Sequence, residues 1–222
     1  MRIAAVIPAF NEERNIAAVV EGVHPFVTTT VVVDDGSVDN TASAADAAGA
    51  IVLRHESNVG KGAALKTGFR YLMERGYDGA VTIDADGQHD PAEIPLFIAA
   101  AKHGYDMVIG NRMSNVSTMP FIRRFANHIS SLLTSLFLGQ NVPDSQNGFR
   151  YYKLSSVLSL SLNADKYDLE TEVIFKVGRA GYRIGWVPTR TIYRTEARSK
   201  FNSLTDSLRF IGVLVRYGLF RR

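Results

Sequence analysis

The sequence predicts an α/β fold built on a central, mostly parallel β-sheet with helices on both faces. Two observations predict it. Short apolar runs rich in β-branched residues end in polar, glycine-containing turns, which is typical of strands buried on both faces of a sheet. Stretches with the period of an amphipathic helix lie between these runs, and such alternation of strand and helix indicates parallel strand pairing.

The first half of the chain carries this alternation in full. Its apolar runs predict strands at residues 3–9, 30–34, 51–55, 80–83 and 107–109. The periodic segments between them predict helices at residues 12–23, 40–48, 61–75 and 91–103. Asp39 and Asp90 stand where helix N-caps belong, and Pro91 occupies the first helical position after Asp90.

The pattern changes after Arg112. Residues 114–118 predict a polar loop, and residues 121–138 and 169–180 predict helices. Residues 183–194 predict an extended segment, and residues 204–220 predict a C-terminal amphipathic helix with a wide apolar face. No linker or internal repeat separates these parts, so we expect a single domain over residues 1–222, divided into a first half (1–111), a second half (112–203) and a terminal helix (204–222).

Composition excludes several classes of protein. The chain has 222 residues, of which 46% are hydrophobic and 21% charged, and its mean hydropathy is −0.01. These values predict a packed core and exclude a disordered chain or a coiled coil. We expect neither a membrane-spanning helix nor a secretory signal. Because the chain has no cysteine, disulfides, thiolate zinc sites and a cysteine nucleophile are excluded, which fits a reducing cytosol.

The net charge of +3 conceals two opposite halves. Residues 1–111 contain 8 basic and 15 acidic residues, whereas residues 112–222 contain 17 basic and 7 acidic ones. A basic half is typical of proteins that bind nucleic acid, phosphorylated ligands or an anionic membrane surface.

An acidic turn after the strand at 80–83 is the first candidate site, because ligands of such sheets bind beyond the carboxyl ends of the strands. The turn contains Asp84, Asp86 and Gln88. These side chains offer only oxygen ligands, which favours Mg²⁺ or Mn²⁺ over zinc or copper. The alternative is an Asp-rich turn that only caps the next helix. We expect His89 to be a bystander.

Two further strand-end turns are candidates for binding a nucleoside. Asp34 and Asp35 are adjacent carboxylates that repel each other unless hydrogen-bond donors, such as a nucleobase N–H or a ribose hydroxyl, meet them. The alternative is that one of them ties down the turn by bonding to its backbone. After the first strand, Phe10 is placed to flank a base and Glu12 to accept a hydrogen bond from it, unless this turn is simply a capped helix start.

A third segment, residues 58–62, contains Gly60, Lys61 and Gly62. It lacks the spacing and the following Ser or Thr of a P-loop, so we exclude that motif. Lys61 at a helix start is still expected to lie near an anion.

Five motifs in order resemble the family 2 glycosyltransferases with the GT-A fold, and most closely the polyprenyl-phosphate type that includes dolichyl-phosphate mannose synthases. The motifs span nearly the whole chain: Val6-Ile7-Pro8-Ala9-Phe10-Asn11-Glu12, Val32-Val33-Asp34-Asp35-Gly36-Ser37, Asp84-Ala85-Asp86-Gly87-Gln88-His89, Asn147-Gly148-Phe149-Arg150 and Arg198-Ser199-Lys200-Phe201-Asn202.

The resemblance implies roles for the matching residues. Those at nucleotide-binding and donor-binding positions are Pro8, Phe10, Glu12, Val33, Asp35 and Ala85. Those at the metal site are Asp84, Asp86 and Gln88. Those that meet phosphate groups are Arg112 and Arg123 near the acceptor, and Arg194, Arg198 and Lys200 on a loop over the donor diphosphate. The family often has tyrosine where Phe10 stands, so that hydroxyl contact is absent here.

The implied activity is metal-dependent, inverting transfer of a hexose from a nucleotide-diphosphate sugar to a polyprenyl (dolichyl or undecaprenyl) phosphate. A phosphate acceptor is already ionised at pH 7 and needs no general base. A hydroxyl acceptor needs one, and Asp144 is the best candidate; an enzyme of this second type is the alternative. A nucleic-acid-binding module is a third hypothesis, which the absence of a nucleic-acid motif disfavours, and we expect no nucleic-acid partner.

A lipid acceptor implies work at the cytoplasmic face of a membrane. We expect peripheral contact with anionic lipid through the predicted helix at 204–220, because it combines arginines with a wide apolar face. The alternative is an ordinary packing helix or a contact within a homo-oligomer. The base, the sugar and the oligomeric state stay open.

Overall fold

The described chain alternates strands and helices. The structure, a computed structural model, describes residues 1–114, 119, 121–192, 212–213 and 215–216. Its strands are β1 (Ile3–Ala9), β2 (Thr30–Asp34), β3 (Ile51–Arg54), β4 (Gly79–Thr82), β5 (Met107–Asn111), β6 (Arg150–Lys153) and β7 (Ile184–Pro188). Its helices are α1 (Ile16–Val23), α2 (Thr41–Ala47), α3 (Lys61–Glu74), α4 (Ile94–Lys102), α5 (Phe121–Leu138), α6 (Leu154–Leu158) and α7 (Asp168–Arg179). All strands and helices predicted for the first half are present, and most of their bounds lie within two residues of the prediction. The exceptions are α1, which begins four residues later than predicted, and the helix predicted from residue 91, whose first turn, Pro91–Glu93, is a 3-10 turn.

The described strands form one sheet with the order β3-β2-β1-β4-β6-β5-β7. All neighbouring pairs are parallel except those of β6, which runs antiparallel to both β4 and β5. The mostly parallel sheet is therefore confirmed. The antiparallel strand itself was not predicted, because a run of four residues that begins with Arg150 and ends with Lys153 does not look like a buried strand.

Helices cover both faces of the sheet, as predicted. On one face, apolar side chains of α1, α2 and α4 pack with those of β1 and β4, among them Val20 and Phe97. On the other face, α3, α6 and α7 contribute to a second core that includes Phe69 and Ile174. Gly68 of α3 allows this helix to approach β1 closely, since a Cβ at this position would lie 2.6 Å from a methyl group of Val6.

The carboxyl ends of β4 and β5 are aligned through β6. Thr82 of β4 and Ile109 of β5 both pair with Arg150, the first residue of β6. Because parallel strands end at one edge, the turns after β1, β2, β4 and β5 all meet at the carboxyl edge of the sheet.

Two predicted segments of the second half fall largely outside the described residues. Of the predicted helix at 204–220, only residues 212–213 and 215–216 are described, and Val213 packs against Phe175 of α7. Most of the predicted loop at 114–118 is outside as well. Among the helices that the structure describes, none combines the length and the apolar character needed to cross a bilayer.

Candidate active site at the carboxyl edge of the sheet

The turns that follow β1 and β2 are joined by side-chain hydrogen bonds. Asn11 has a left-handed backbone conformation, with φ 52°, which asparagine tolerates better than most residues. Its backbone N–H donates to Ser37 Oγ over 2.9 Å, and the Glu12 N–H donates to Thr41 Oγ1 over 2.8 Å. These bonds hold Phe10 and Glu12, both half-buried, beside the second turn.

Asp34 and Asp39 serve the backbone of the second turn. Asp34 accepts from the Ser37 N–H over 3.0 Å and pairs with Arg54 Nε at 3.2 Å. Asp39 accepts from the Thr41 N–H over 3.0 Å at the start of α2. The alternative in which one carboxylate of the adjacent pair ties down the turn is confirmed. Asp39 does bond to the first residue of α2, but the N-cap position belongs to Asn40, so the prediction of Asp39 as the N-cap is off by one residue.

Asp35, the other member of the pair, holds the loop before α3. One carboxylate oxygen accepts from the Val59 N–H over 3.0 Å and lies 2.8 Å from His55 Nδ1, and the other accepts from the Gly60 N–H over 2.7 Å. Two backbone N–H groups of segment 58–62 therefore donate to a carboxylate of the protein, and a phosphate could not use them. This is a physical reason why the segment is not a P-loop.

Three predicted donor-binding residues lie at or near the same edge but differ in exposure. Pro8 is half-buried near the end of β1, whereas the side chains of Val33 and Ala85 are buried in the core. Any contact of Val33 or Ala85 with a ligand therefore has to use the backbone.

Lys61 connects the acidic turn after β4 to α7. Its Nζ lies 2.6 Å from Asp84 Oδ1 and 3.0 Å from Glu170 Oε1. Gly148 makes room for this contact, because a Cβ there would lie 2.7 Å from both Lys61 Nζ and Asp84 Oδ2. The anions expected near Lys61 are therefore side chains of this protein. Sequence reasoning missed Glu170, which carries no local signal.

The contact with Lys61 sets the charge of the turn. Burial alone would lower the pKa of Lys61, but Asp84 and Glu170 outweigh it and raise that pKa above its usual range. Burial alone would raise the pKa of Asp84, but the charge of Lys61, assisted by His89, holds it well below its usual range. The pKa of Asp86 is raised, first by burial and then by the negative charge of Asp84. A cation bound at Asp86 would relieve this repulsion.

The chemistry of Asp84, Asp86 and Gln88 fits a hard divalent cation. Gln88 donates to Asp86 twice, from its backbone N–H over 3.0 Å and from Nε2 over 2.8 Å, so these two side chains form one unit. Within the described part of the chain, no three His, Cys, Asp or Glu side chains cluster as a metal site. Two carboxylates and an amide leave coordination positions for water and substrate phosphates, as Mg²⁺ prefers.

The two residues that follow in this turn have different surroundings. Asp90 accepts from the Ala92 N–H over 3.0 Å, which confirms it as a helix cap. His89 is buried, with its Nε2 3.5 Å from Asp84 Oδ2 and its ring 5.3 Å from that of Phe149. It therefore touches the predicted metal site.

Asp144 forms an ion pair with Arg112 beyond the carboxyl end of β5. Its carboxylate is fully buried and accepts from Arg112 Nε over 2.8 Å and from a terminal guanidinium nitrogen over 2.9 Å. The Arg112 N–H and Asn127 Nδ2 also donate to it, both over 3.0 Å. Burial alone would raise the pKa of Asp144, but Arg112 outweighs it and lowers that pKa. A carboxylate in such surroundings is suited to orienting Arg112 and poorly suited to accepting a proton from substrate.

The motif at 147–150 holds the backbone around the site. Arg150 is fully buried, and its guanidinium donates to the carbonyl oxygens of Asn147 over 2.5 Å, Ser145 over 2.9 Å and Glu170 over 2.7 Å. It thereby ties the loop that carries Asp144 to α7.

Replacing Arg150 should therefore destabilise the fold. We expect Arg150→Met to lower the free energy of unfolding by about 3–5 kcal/mol, because three buried carbonyl groups lose their donor. Urea unfolding measures this value. Arg70→Met, at an exposed position of α3, is the matched control and should stay within about 0.5 kcal/mol of the wild type. Equal stability of the two variants would contradict the assignment.

Four predicted phosphate-binding side chains lie outside the described part of the chain. They are those of Arg123, Arg194, Arg198 and Lys200. Their roles stay predictions.

Comparison with protein families and curated proteins shows what the chain resembles. The model described as Glycosyl transferase family 2 matches residues 4–160. The undecaprenyl-phosphate mannosyltransferase of Micrococcus luteus is 31% identical over 100% of this chain and 96% of its own length. The UDP-N-acetylglucosamine–dolichyl-phosphate N-acetylglucosaminyltransferase of Methanococcus voltae is 35% identical over 86% of each chain.

Solved structures match the fold over the full chain. Glucosyl-3-phosphoglycerate synthase from Mycobacterium tuberculosis in complex with Mg²⁺ and UDP has a TM-score of 0.74 and 25% identity, and the match covers 100% of this chain and 80% of that one. The same enzyme with Mn²⁺, UDP-glucose and phosphoglyceric acid has a TM-score of 0.77 and 24% identity, with coverage of 100% and 81%.

Proposed function

This chain belongs to glycosyltransferase family 2, and from that premise we propose that it transfers a hexose from a nucleoside diphosphate sugar to a polyprenyl phosphate, with inversion and with the help of Mg²⁺ or Mn²⁺. It is a glycosyltransferase with the GT-A fold. The names of relatives that are 31–35% identical over most of the chain support a polyprenyl phosphate acceptor. The solved structures with Mg²⁺ or Mn²⁺ and UDP support a metal-bound donor.

One structural observation carries the proposal, namely the alignment of β4, β6 and β5. Thr82 and Ile109 both pair with Arg150, so the turn with Asp84 and the turn with Arg112 are two strand spacings apart, or about 10 Å. The predicted cation site and the arginine that is predicted to meet phosphate therefore lie at the same edge of the sheet, with β6 between their strands. This separation suits an anomeric carbon between a departing diphosphate and an incoming phosphate.

The two turns contribute different chemistry. Asp84, Asp86 and Gln88 would hold the cation, and a cation bound there would supply the positive charge that offsets the negative charge of a departing diphosphate. Arg112 offers a planar, forked donor group that suits a phosphate oxygen, and its ion pair with Asp144 fixes the plane of that group. The acceptor phosphate is ionised at pH 7, so its oxygen attacks the anomeric carbon without a general base.

Binding of the donor product is the first test. With Mn²⁺ present, one of UDP or GDP at about 100 times its Kd should stabilise the protein by about 2.7 kcal/mol, or roughly 5–10 °C in Tm for a chain of this size. EDTA should abolish the shift. Absence of a metal-dependent shift with either nucleotide would argue against the proposed donor site.

Transfer is the second test. The sugar nucleotide of the base that binds, labelled in its hexose, should deliver label to undecaprenyl or dolichyl phosphate and so carry it into organic solvent. Phosphoglyceric acid and simple glycans serve as competing acceptors. Label found only in water-soluble product assigns the enzyme to a hydroxyl acceptor and rejects the lipid phosphate.

A further inference from the structure

The segment between β3 and α3 is bound tightly to the turn that follows β2. A Cβ on Gly36 of that turn would lie 2.5 Å from the carbonyl carbon of Ser57, so the two backbones are in direct contact. Arg54 reinforces this contact, because its guanidinium donates to the Ser37 carbonyl oxygen over 2.8 Å. The hydrogen-bond donors that the segment directs at Asp35 are therefore fixed in place, and a ligand could displace them only by moving the whole loop.

These donors use most of the hydrogen-bonding capacity of Asp35. Its Oδ1 accepts from the Val59 N–H over 3.0 Å and lies 2.8 Å from His55 Nδ1. Its Oδ2 accepts from the Gly60 N–H over 2.7 Å. An ionised carboxylate has about four acceptor positions, two on each oxygen. The described residues therefore fill both positions on Oδ1 and leave one position on Oδ2.

His55 supplies the side-chain donor of this set, and Thr67 of α3 holds its ring. Because a carboxylate only accepts hydrogen bonds, we assign the hydrogen of the contact with Asp35 to His55 Nδ1. The other ring nitrogen, Nε2, lies 3.0 Å from Thr67 Oγ1. The ring is thus held on both sides. His55 would act on a ligand through Asp35, which makes it a positioning residue.

Asp35 is placed to meet a nucleobase because it borders the turn that carries Phe10. Its backbone N–H donates to the carbonyl oxygen of Ala9 over 2.8 Å, so Asp35 and the half-buried Phe10 both lie where the adjacent strands β1 and β2 end. An aromatic ring can stack on the plane of a base while a carboxylate accepts a hydrogen bond from its edge.

We propose that this arrangement selects a sugar donor whose base is uracil or thymine over one whose base is guanine. Uracil and thymine present a single N–H between two carbonyl oxygens, and one acceptor position on Asp35 matches it. Guanine presents two neighbouring N–H groups, which pair best with both oxygens of a carboxylate. Since Oδ1 is occupied and the Asp35 side chain is 4% exposed, Asp35 would leave one of these groups without a partner, which weakens binding.

This inference rests on the proposed function, because it names the base of the nucleotide in that reaction. Titration calorimetry of the full chain with Mn²⁺ tests it. UDP or dTDP should bind about ten- to a hundredfold more tightly than GDP, and comparing UDP with dTDP separates the two pyrimidines. Equal or tighter binding of GDP would overturn the inference and leave the proposed function standing. Absence of binding by all three nucleotides would reject both.

His55→Phe distinguishes positioning of Asp35 from a general effect on the fold. It removes the donor that orients the carboxylate and frees Oδ1, so UDP should bind about tenfold more weakly, whereas GDP should bind at least as tightly as before. The preference for UDP therefore falls, whereas damage to the whole site would weaken both nucleotides and keep their ratio. His55→Asn, whose amide N–H takes the place of Nδ1–H, should restore the preference. An unchanged ratio in His55→Phe would contradict the assignment.

The matched control is His103→Phe, which removes an exposed histidine that follows α4; it should bind both nucleotides like the wild type. If His55→Phe does not fold, Thr67→Val replaces it, because this substitution keeps the shape of the side chain and removes the hydroxyl that holds the ring. It should lower the preference for UDP by about threefold or more, and an unchanged preference overturns the role of the pair.

Kinetics with the sugar nucleotide give a further readout. A contact with the base is remote from the reacting carbon, so His55→Phe should raise KM and leave kcat unchanged. A fall in kcat with an unchanged KM would contradict a role in holding the base.

Discussion

Asp86→Asn should abolish metal-dependent donor binding and reduce transfer by about a thousandfold. The substitution keeps the shape of the side chain and removes the charge that the cation needs, and losing one group that stabilises a developing charge typically costs 10²–10³ in kcat. The readouts are the Mn²⁺-dependent rise in Tm with nucleoside diphosphate and kcat/KM for transfer.

The control for Asp86→Asn lies in the same turn. Asp90→Asn removes a charge four residues away, and asparagine caps a helix as well as aspartate does, so this variant should keep its activity and metal dependence. If Asp86→Asn retains its metal dependence, the cation is held elsewhere.

The free energy of unfolding of Asp86→Asn distinguishes the loss of a bound cation from damage to the fold. Asp86 has a raised pKa in the folded protein, so its ionised form is less favourable there than in the unfolded chain. The penalty therefore appears as pH rises through the ordinary aspartate range and persists at pH 7. Without metal, Asp86→Asn should thus be at least as stable as the wild type at pH 7 in urea unfolding, and a clear loss of stability would contradict this sign.

Arg112→Met should lower kcat/KM for a polyprenyl phosphate by about a thousandfold, and Asp144→Asn should lower it by roughly ten- to a hundredfold. Arg112 is expected to meet the acceptor phosphate, whereas Asp144 acts by holding the guanidinium plane through a two-point ion pair. If Asp144 works only through Arg112, the double variant should be no worse than Arg112→Met alone.

The pH profile distinguishes positioning from proton transfer. For a positioning residue, Asp144→Asn leaves the shape of the kcat/KM profile unchanged and lowers its height. For a general base, the substitution removes the acidic limb and costs about 10²–10⁴, and effects of the two substitutions multiply. Gln146→Ala, in the same loop, controls for disturbance of the backbone.

The strand-end turns could be predicted from the sequence because their cause is local. Continuous apolar runs predict the parallel strands, and the ligands of a parallel sheet bind beyond the carboxyl ends of its strands. The positions of the candidate turns therefore follow from the topology alone. The pairing of Lys61 with Glu170 could not be predicted, since these residues meet only after α3 and α7 pack on the same face of the sheet. The role of Asp144 depends likewise on Arg112, which follows β5 and lies 32 residues earlier in the chain.

Two elements depart from the usual pattern of burial, in which charged and polar side chains are mostly exposed. Strand β6 begins with Arg150, a residue type that is rarely fully buried, and its burial is possible only because three carbonyl groups converge on it. Helix α5 was predicted as a helix, but its most buried side chains are polar, because they bind the loop with Asp144. Its apolar side chains that face the core are only partly buried. Both exceptions occur beside the candidate site, where local rules are expected to fail.

The antiparallel placement of β6 has a consequence for which part of the chain could be exchanged as a unit. Because β5 and β6 are adjacent and antiparallel, residues 112–149 leave the sheet and return to it at one edge, at neighbouring points. A segment that leaves and re-enters the sheet in this way can be lengthened, shortened or exchanged without shifting the register of any strand. A graft of residues 112–149 from a relative would then exchange α5 and Arg112 and leave the turns after β1, β2 and β4 in place. Under the proposed function, such a graft should change the acceptor preference and keep donor binding.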